Sequence, residues 1–174
     1  MNLIESFSVD HTKIIPGIFI SRVDKVKDEV ITTYDVRFKK PNVEPAMTVA
    51  AMHSLEHIIA TFLRNDLQWK DKIIYWGPMG CLTGFYLILK GNYALTDVCD
   101  LLINALHDVE RSDAVPGATP ESCGSYLLHD LAGAKLYAAE FRHYLTHNIG
   151  NAEIFEYPKS SRIRTSDDRV FYDS

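Results

Sequence analysis

A chain of 174 residues is expected to fold as one domain, residues 1–174, with a sizeable hydrophobic core. Apolar residues make up 47% and charged residues 24%, the balance of a globular protein. The formal net charge of −5 speaks against a nucleic-acid surface or a polybasic membrane anchor, since both need clustered Lys and Arg.

The opening "MNLIESFSVDHTKIIPG" carries Glu5 and Asp10 and has no long apolar run, so it does not read as a signal peptide. No stretch is apolar for long enough to suggest a transmembrane helix. Three cysteines, Cys81, Cys99 and Cys123, with no export signal, point to reduced thiols and a cytoplasmic protein.

In chain order, Gly17–Val23 and Glu29–Phe38 read as strands rich in β-branched and aromatic residues. The second alternates Ile31, Thr33, Asp35 and Arg37 against Val30, Thr32, Tyr34, Val36 and Phe38. Pro45 reads as a helix-start signal. A long helix is predicted over about Ala46–Leu67, with Met47, Ala50, Ala51, Leu55, Ile58, Ile59, Phe62 and Leu63 as its apolar stripe. Asp71–Trp76 is a predicted strand, broken by "GPMG" (Gly77–Gly80) and resumed over Thr83–Leu89. Helices are predicted over about Tyr93–Arg111 and Asp130–Leu145, with a loop at Val115–Glu121. The order implies an α+β fold, an antiparallel sheet packed against helices. A polar tail follows from about residue 158 and carries no assigned role.

The predicted long helix contains His53-Ser54-Leu55-Glu56-His57, the pattern H-x-x-E-H. Each helical residue advances about 100°, so the two histidines lie on one face, where two imidazoles can grip one metal ion. The same pair could be a solvated helix edge. Flanking Ala50, Leu55, Ile58 and Phe62 imply partial burial, which favours a metal. The pattern is also a named metal-binding one, the reverse of H-E-x-x-H. Two histidines need at least a third ligand, and catalytic sites keep a position open. Cys123, in "TPESCGSY", is a candidate ligand or a structural thiol. Cys81, in "GPMGCLTGFY", is a candidate acid/base or nucleophile if its pKa is lowered, or a buried thiol at a bulge. Cys99 sits among Val98, Leu101 and Leu102 and reads as core filler. His143 and His147 read as a surface pair near a helix C-terminus. His107 and His129 show no local constellation.

A reversed-zincin peptidase needs a further carboxylate ligand downstream. The window Leu127–Tyr137 offers Asp130 but no glutamate. "HSLEH" together with "GPMGCLTGFYL" and "PESCGSYLLHDL" instead resembles the LuxS family of S-ribosylhomocysteine lyases. The resemblance extends through "SFSVDHTKI", "TYDVRFKKPN" and "VPGA", over roughly residues 3–157. It implies His53, His57 and Cys123 as metal ligands, and Glu56 and Cys81 as acid/base residues. It implies Ser6, His11 and Arg37 as substrate contacts. It further implies a fold akin to the reversed zincins and a homodimer with active sites at the interface. One ferrous ion per subunit is implied, which Zn2+ or Co2+ can replace. The implied reaction is a carbon–sulfur lyase cleavage of S-ribosylhomocysteine into homocysteine and 4,5-dihydroxy-2,3-pentanedione, the autoinducer-2 precursor. A metallohydrolase and a structural metal-binding domain are the alternatives. Tyr75-Trp76-Gly77 precede "PMGC" with bulk that bears on the pocket shape, not on the reaction.

Overall fold

The computed structural model describes residues 9–157. Four strands, β1 (Gly17–Val26), β2 (Glu29–Arg37), β3 (Ile73–Pro78) and β4 (Gly84–Lys90), form one antiparallel sheet in the order β1-β2-β4-β3. Three helices, α1 (Val49–Asn65), α2 (Leu95–Arg111) and α3 (Leu131–Asn148), complete an α+β fold. None of the described helices is long and apolar enough to cross a membrane.

Strand alternation sets the core. Tyr34 and Val36 of β2, Phe85, Leu87 and Leu89 of β4, Ile18 of β1 and Trp76 of β3 are buried in one cluster with the apolar stripes of the helices. From α1 come Met52, Leu55, Ile58, Ile59 and Leu63; from α2, Val98, Leu101, Leu102, Ala105 and Leu106; from α3, Ala134, Ala138, Phe141 and Leu145. Cys99 belongs to this core, and burial pushes its thiol up to about 12. It is a small core hydrophobe, not a nucleophile.

Helix α1 begins three residues after the predicted start. Thr48 is extended and its side chain accepts from the Ala51 N–H, so the cap and not Pro45 sets the boundary. At the far end Asp66 Oδ1 accepts from the N–H groups of Gln68 (2.8 Å) and Trp69 (2.9 Å). The chain therefore leaves the helix in a short polar turn. Helix α3 starts behind Asp130, whose Oδ1 accepts from the Gly133 N–H at 2.8 Å. It runs past the predicted end to Asn148, because Leu145 and neighbouring side chains still pack on the core.

The Asp130 N–H also donates to Ser54 Oγ (2.9 Å) and to the Ala50 carbonyl (3.2 Å), both on α1. This seam fixes the loop before α3 against the face of α1 that carries the histidines. Removing the cap with Asp130→Ala is expected to cost about 1 kcal/mol. A lowered urea midpoint at unchanged slope checks it.

Candidate metal centre and thiol site

Helix α1 sets His53 and His57 one turn apart, both half-buried. Their rings lie 4.7 Å apart at 83°, near-perpendicular. His53 Nδ1 faces the Leu128 carbonyl at 2.7 Å, and His57 Nδ1 faces the Pro116 carbonyl at 2.8 Å. A carbonyl only accepts, so both Nδ1 atoms carry the proton and both Nε2 lone pairs face inward. Backbone acceptors behind ligating imidazoles are the usual way such rings are oriented.

The Pro116 carbonyl reaches His57 because Gly117 takes φ +68°, a left-handed turn that favours glycine. A Cβ at Gly117 would lie 3.6 Å from His57 Nδ1, so the turn and the ring are in direct contact. Beyond it, the Cys123 N–H donates to the Thr119 carbonyl (2.9 Å), which turns the thiol back toward α1. Cys123 Sγ stands 3.4 Å from His53 Nε2 and accepts from the Ser125 N–H at 3.4 Å.

A fourth group joins them. His129 stacks on His53 with centroids 4.0 Å apart and ring planes 21° apart, and meets His57 edge-on at 4.8 Å. One donor atom from each of His53, His57, Cys123 and His129 lies within 4.8 Å of all the others. Burial, and then the neighbouring His53 and His57, hold the His129 imidazole below its ordinary value. The sequence offered only a lone Cys-x5-His spacing for His129, too common to single out. The α1–α3 seam, a tertiary feature, is what delivers it. Convergent imidazoles and a thiol are donors suited to a divalent metal of the iron–zinc class. Glu56 Oε2 lies 3.7 Å from His57 Nε2, beside the donors and outside their group.

The second constellation lies at the β3–β4 connection. Here the two predicted segments form a hairpin. The Leu82 N–H closes a turn on the Met79 carbonyl (3.0 Å), and the Met79 N–H bonds the Gly84 carbonyl (2.9 Å). Cys81 occupies this turn and is exposed. The left-handed residue is Leu82, φ +60°, and not a glycine; space is open where a Cβ at Gly80 would stand. Leu82 is held there because its carbonyl accepts from the Met47 N–H (2.9 Å) and its side chain packs on the core.

Arg37 lies 2% exposed beneath Cys81, although alternation placed it on the polar side of β2. Its Nε and Nη2 grip Asp35 at 3.1 and 2.5 Å, a bidentate pair. Tyr157 stacks on Phe19 (4.7 Å) and donates its hydroxyl to Asp35 Oδ2 (2.9 Å), covering the pair. Burial, followed by Asp35, keeps that hydroxyl far above its ordinary value, so it remains a donor. Arg37 Nη1 donates to Thr83 Oγ1 (2.7 Å) and lies 3.7 Å from Cys81 Sγ. Thr83 Oγ1 accepts from Arg37 and so turns its own proton to Cys81 Sγ, 3.1 Å away. Burial alone would raise the Cys81 thiol. The Thr83 hydroxyl and backbone N–H, then the Arg37 guanidinium, outweigh it and leave the thiol below its ordinary value.

This sign is testable. The thiolate is the reactive form, so the pH midpoint for alkylation of Cys81, followed on its own peptide by mass spectrometry, is expected below the free-thiol value of 9.0. Arg37→Met in an Asp35→Asn background, which leaves no buried carboxylate unpaired, is expected to raise that midpoint. An unmoved midpoint would remove Arg37 from the account.

Of the remaining expected residues, His11 sits in the turn ahead of β1 with Nδ1 against the Val9 carbonyl (2.8 Å). No described contact joins it to either constellation. Ser6 and the tail from residue 158 lie outside the described residues. Tyr75 is exposed, while Trp76 stacks on Phe85 (4.6 Å) in the core. His143 and His147 are an exposed pair on α3, as the spacing predicts. A cleft of about 560 Å³ opens between Val26–Glu29 and Ile74, but none of the expected site residues lines it.

An α+β chain in which imidazoles and a thiol converge in one donor group, with a separate lowered thiol, has the side chains of a metal-binding protein. The family comparison agrees with that class. The family model for S-ribosylhomocysteinase (LuxS) matches residues 4–153, and the chain belongs to that family. An S-ribosylhomocysteine lyase of Phocaeicola vulgatus is 45% identical over 159 residues, covering 91% of this chain and 98% of the relative. One of Borreliella afzelii is 45% identical over 91% of this chain and 100% of its own length. One of Clostridium beijerinckii is 45% identical over 86% and 94%.

Proposed function

We propose that this chain is a metal-dependent S-ribosylhomocysteine lyase, a carbon–sulfur lyase yielding homocysteine and 4,5-dihydroxy-2,3-pentanedione. One observation carries the reading beyond family membership. His53, His57, Cys123 and His129 bring donor atoms within 4.8 Å of one another with a carboxylate beside them, and separately Cys81 is a thiol lowered by a threonine hydroxyl and a buried guanidinium. A structural metal domain has no use for the second constellation.

The substrate is a sugar thioether whose sulfur cannot leave until a carbonyl lies β to it. The carbonyl must therefore move along the ribose by proton transfers before the thiol is eliminated. In our reading His53, His57 and Cys123 hold the ion. When bound it supplies Lewis-acid stabilisation of the negative charge that develops on the sugar oxygens. Cys81 and Glu56 are the two acid/base groups. Cys81, its thiol held below its ordinary value by Thr83 and Arg37, takes a proton from sugar carbon as thiolate and returns it to the neighbouring carbon. Glu56, beside the donors, carries the hydroxyl protons between sugar oxygens. The last proton removed generates the enolate that expels the homocysteine thiolate. In the same reading Arg37, His11 and Ser6 contact the substrate; the approach of Arg37 Nη1 to within 3.7 Å of Cys81 Sγ supports its part.

Ferrous iron is the ion we place in the site, with zinc and cobalt able to take the same donors. Metal analysis of protein purified without oxygen tests this, and a preparation loaded with zinc alone would contradict it. We further propose one domain, a cytoplasmic setting and a homodimer with sites at the interface. Free Cys81, Cys99 and Cys123 suit a reducing compartment. Tyr126, Leu127 and Leu128 lie exposed beside the metal donors, and a second copy would cover them. Sedimentation at micromolar concentration tests the dimer, and a monomer would contradict it.

A further inference from the structure

His129 has no task in the reaction as described, yet its surroundings narrow its chemistry. Ser54 Oγ lies 3.0 Å from the Ala50 carbonyl, accepts from the Asp130 N–H at 2.9 Å, and lies 3.3 Å from His129 Nδ1. Ser54 has one proton, and the shorter contact to the carbonyl holds it. Ser54 therefore accepts from Nδ1–H. That assigns the proton to Nδ1 and leaves Nε2 bare. Nε2 lies 3.9 Å from Cys123 Sγ, among groups that are themselves acceptors once His53 and His57 have their protons on Nδ1.

A half-buried acceptor facing acceptors needs an ion or a proton donor. The ring geometry decides between them. An imidazole lone pair lies in the ring plane. The near-perpendicular His53 and His57 can aim theirs at one point, but the stacked His53 and His129 carry theirs side by side. His57 meets both rings near-perpendicular, so only one of the stacked pair shares its aim; His53 Nε2, 3.4 Å from Cys123 Sγ against 3.9 Å for His129 Nε2, is the nearer, and His129 Nε2 stands to one side.

We propose that His129 is a substrate-binding residue whose Nε2 accepts a hydrogen bond from a hydroxyl of the sugar at the open side of the metal site. The inference rests on the lyase reading and deepens it, because it makes the site select a polyhydroxylated chain over a plain carbonyl compound. His129→Phe keeps a flat ring against His53 but removes the acceptor. His129→Gln restores an acceptor oxygen.

The test uses cobalt-loaded protein and the alditol thioether made by reducing S-ribosylhomocysteine, which keeps the hydroxyls but cannot isomerise. Without the probe, both variants are expected to bind one cobalt per chain with the native absorption bands. The probe's dissociation constant, read from those bands, is expected to rise about tenfold in His129→Phe and to recover most of that in His129→Gln. Lost cobalt or altered bands in both variants would make His129 a ligand or a support of the thiolate, and would overturn the proposal. Unchanged probe affinity would overturn it too. Native protein that binds the probe but releases no thiol from the unreduced substrate would defeat the lyase reading and the proposal's substrate with it. Thiol release by native protein together with unchanged affinity in the variants defeats the His129 assignment alone.

Discussion

His57→Ala is expected to leave the protein folded and nearly free of metal, with no measurable turnover. His57 is half-buried and contributes little to the core, so the helix stripe of Leu55, Ile58, Ile59 and Leu63 survives its loss. The donor set does not. His53 and Cys123 alone make two contacts, and the Pro116 carbonyl set by Gly117 then orients nothing. Loss of one of the supports behind a ligand already costs about 10–100-fold in metal affinity. Loss of the ligand itself is expected to exceed that. Metal content after dialysis, with circular dichroism for the fold, checks both halves. Normal metal content in the folded variant would take His57 out of the donor set.

Cys81→Ala separates the two constellations. Cys81 lies in the β3–β4 turn and contacts Arg37 and Thr83, not the metal donors. The variant is therefore expected to keep its metal and lose about 10²–10⁴ in turnover, the scale of an acid/base group. Its exposure makes a large effect on stability unexpected. Cys123→Ala is the contrast and is expected to lose metal and turnover together. Metal loss from Cys81→Ala would make Cys81 a ligand and leave the proton transfers without one of their two groups.

Local pattern decided which parts of this molecule could be read from its sequence. The stripes on α1 and α2 and the alternation in β2 declare themselves within a few residues. Helix α1 is legible in kind, yet Pro45 points to a start three residues early, because it is a weaker signal than the Thr48 side chain on the Ala51 N–H. In the Gly77–Gly80 stretch the glycines drew attention, while the left-handed position falls on Leu82. Asp35 and Arg37 alternate as a polar face should. What buries them is Tyr157, 122 residues along the chain from Asp35, and no window on β2 contains it. In sequence Thr83 only starts a strand, and its place between guanidinium and thiol is visible once the hairpin closes.

The residues of the candidate metal centre divide the same way. His53 and His57 are legible together because helical spacing puts them on one face. Cys123 carries no such geometric signal, and the family resemblance pointed to it. His129 had neither kind of support. It arrives because the Asp130 N–H ties the start of α3 to Ser54 and Ala50, a contact made only in the folded chain.

The central claim is that the metal donors and the lowered thiol together cleave a sugar thioether. The direct measurement is release of free thiol, followed with a thiol reagent, from S-ribosylhomocysteine incubated with ferrous- or cobalt-loaded protein. The account predicts one homocysteine thiol per substrate consumed, abolished by removing the metal and restored by returning it. Metal-loaded, folded protein that releases no thiol would contradict it.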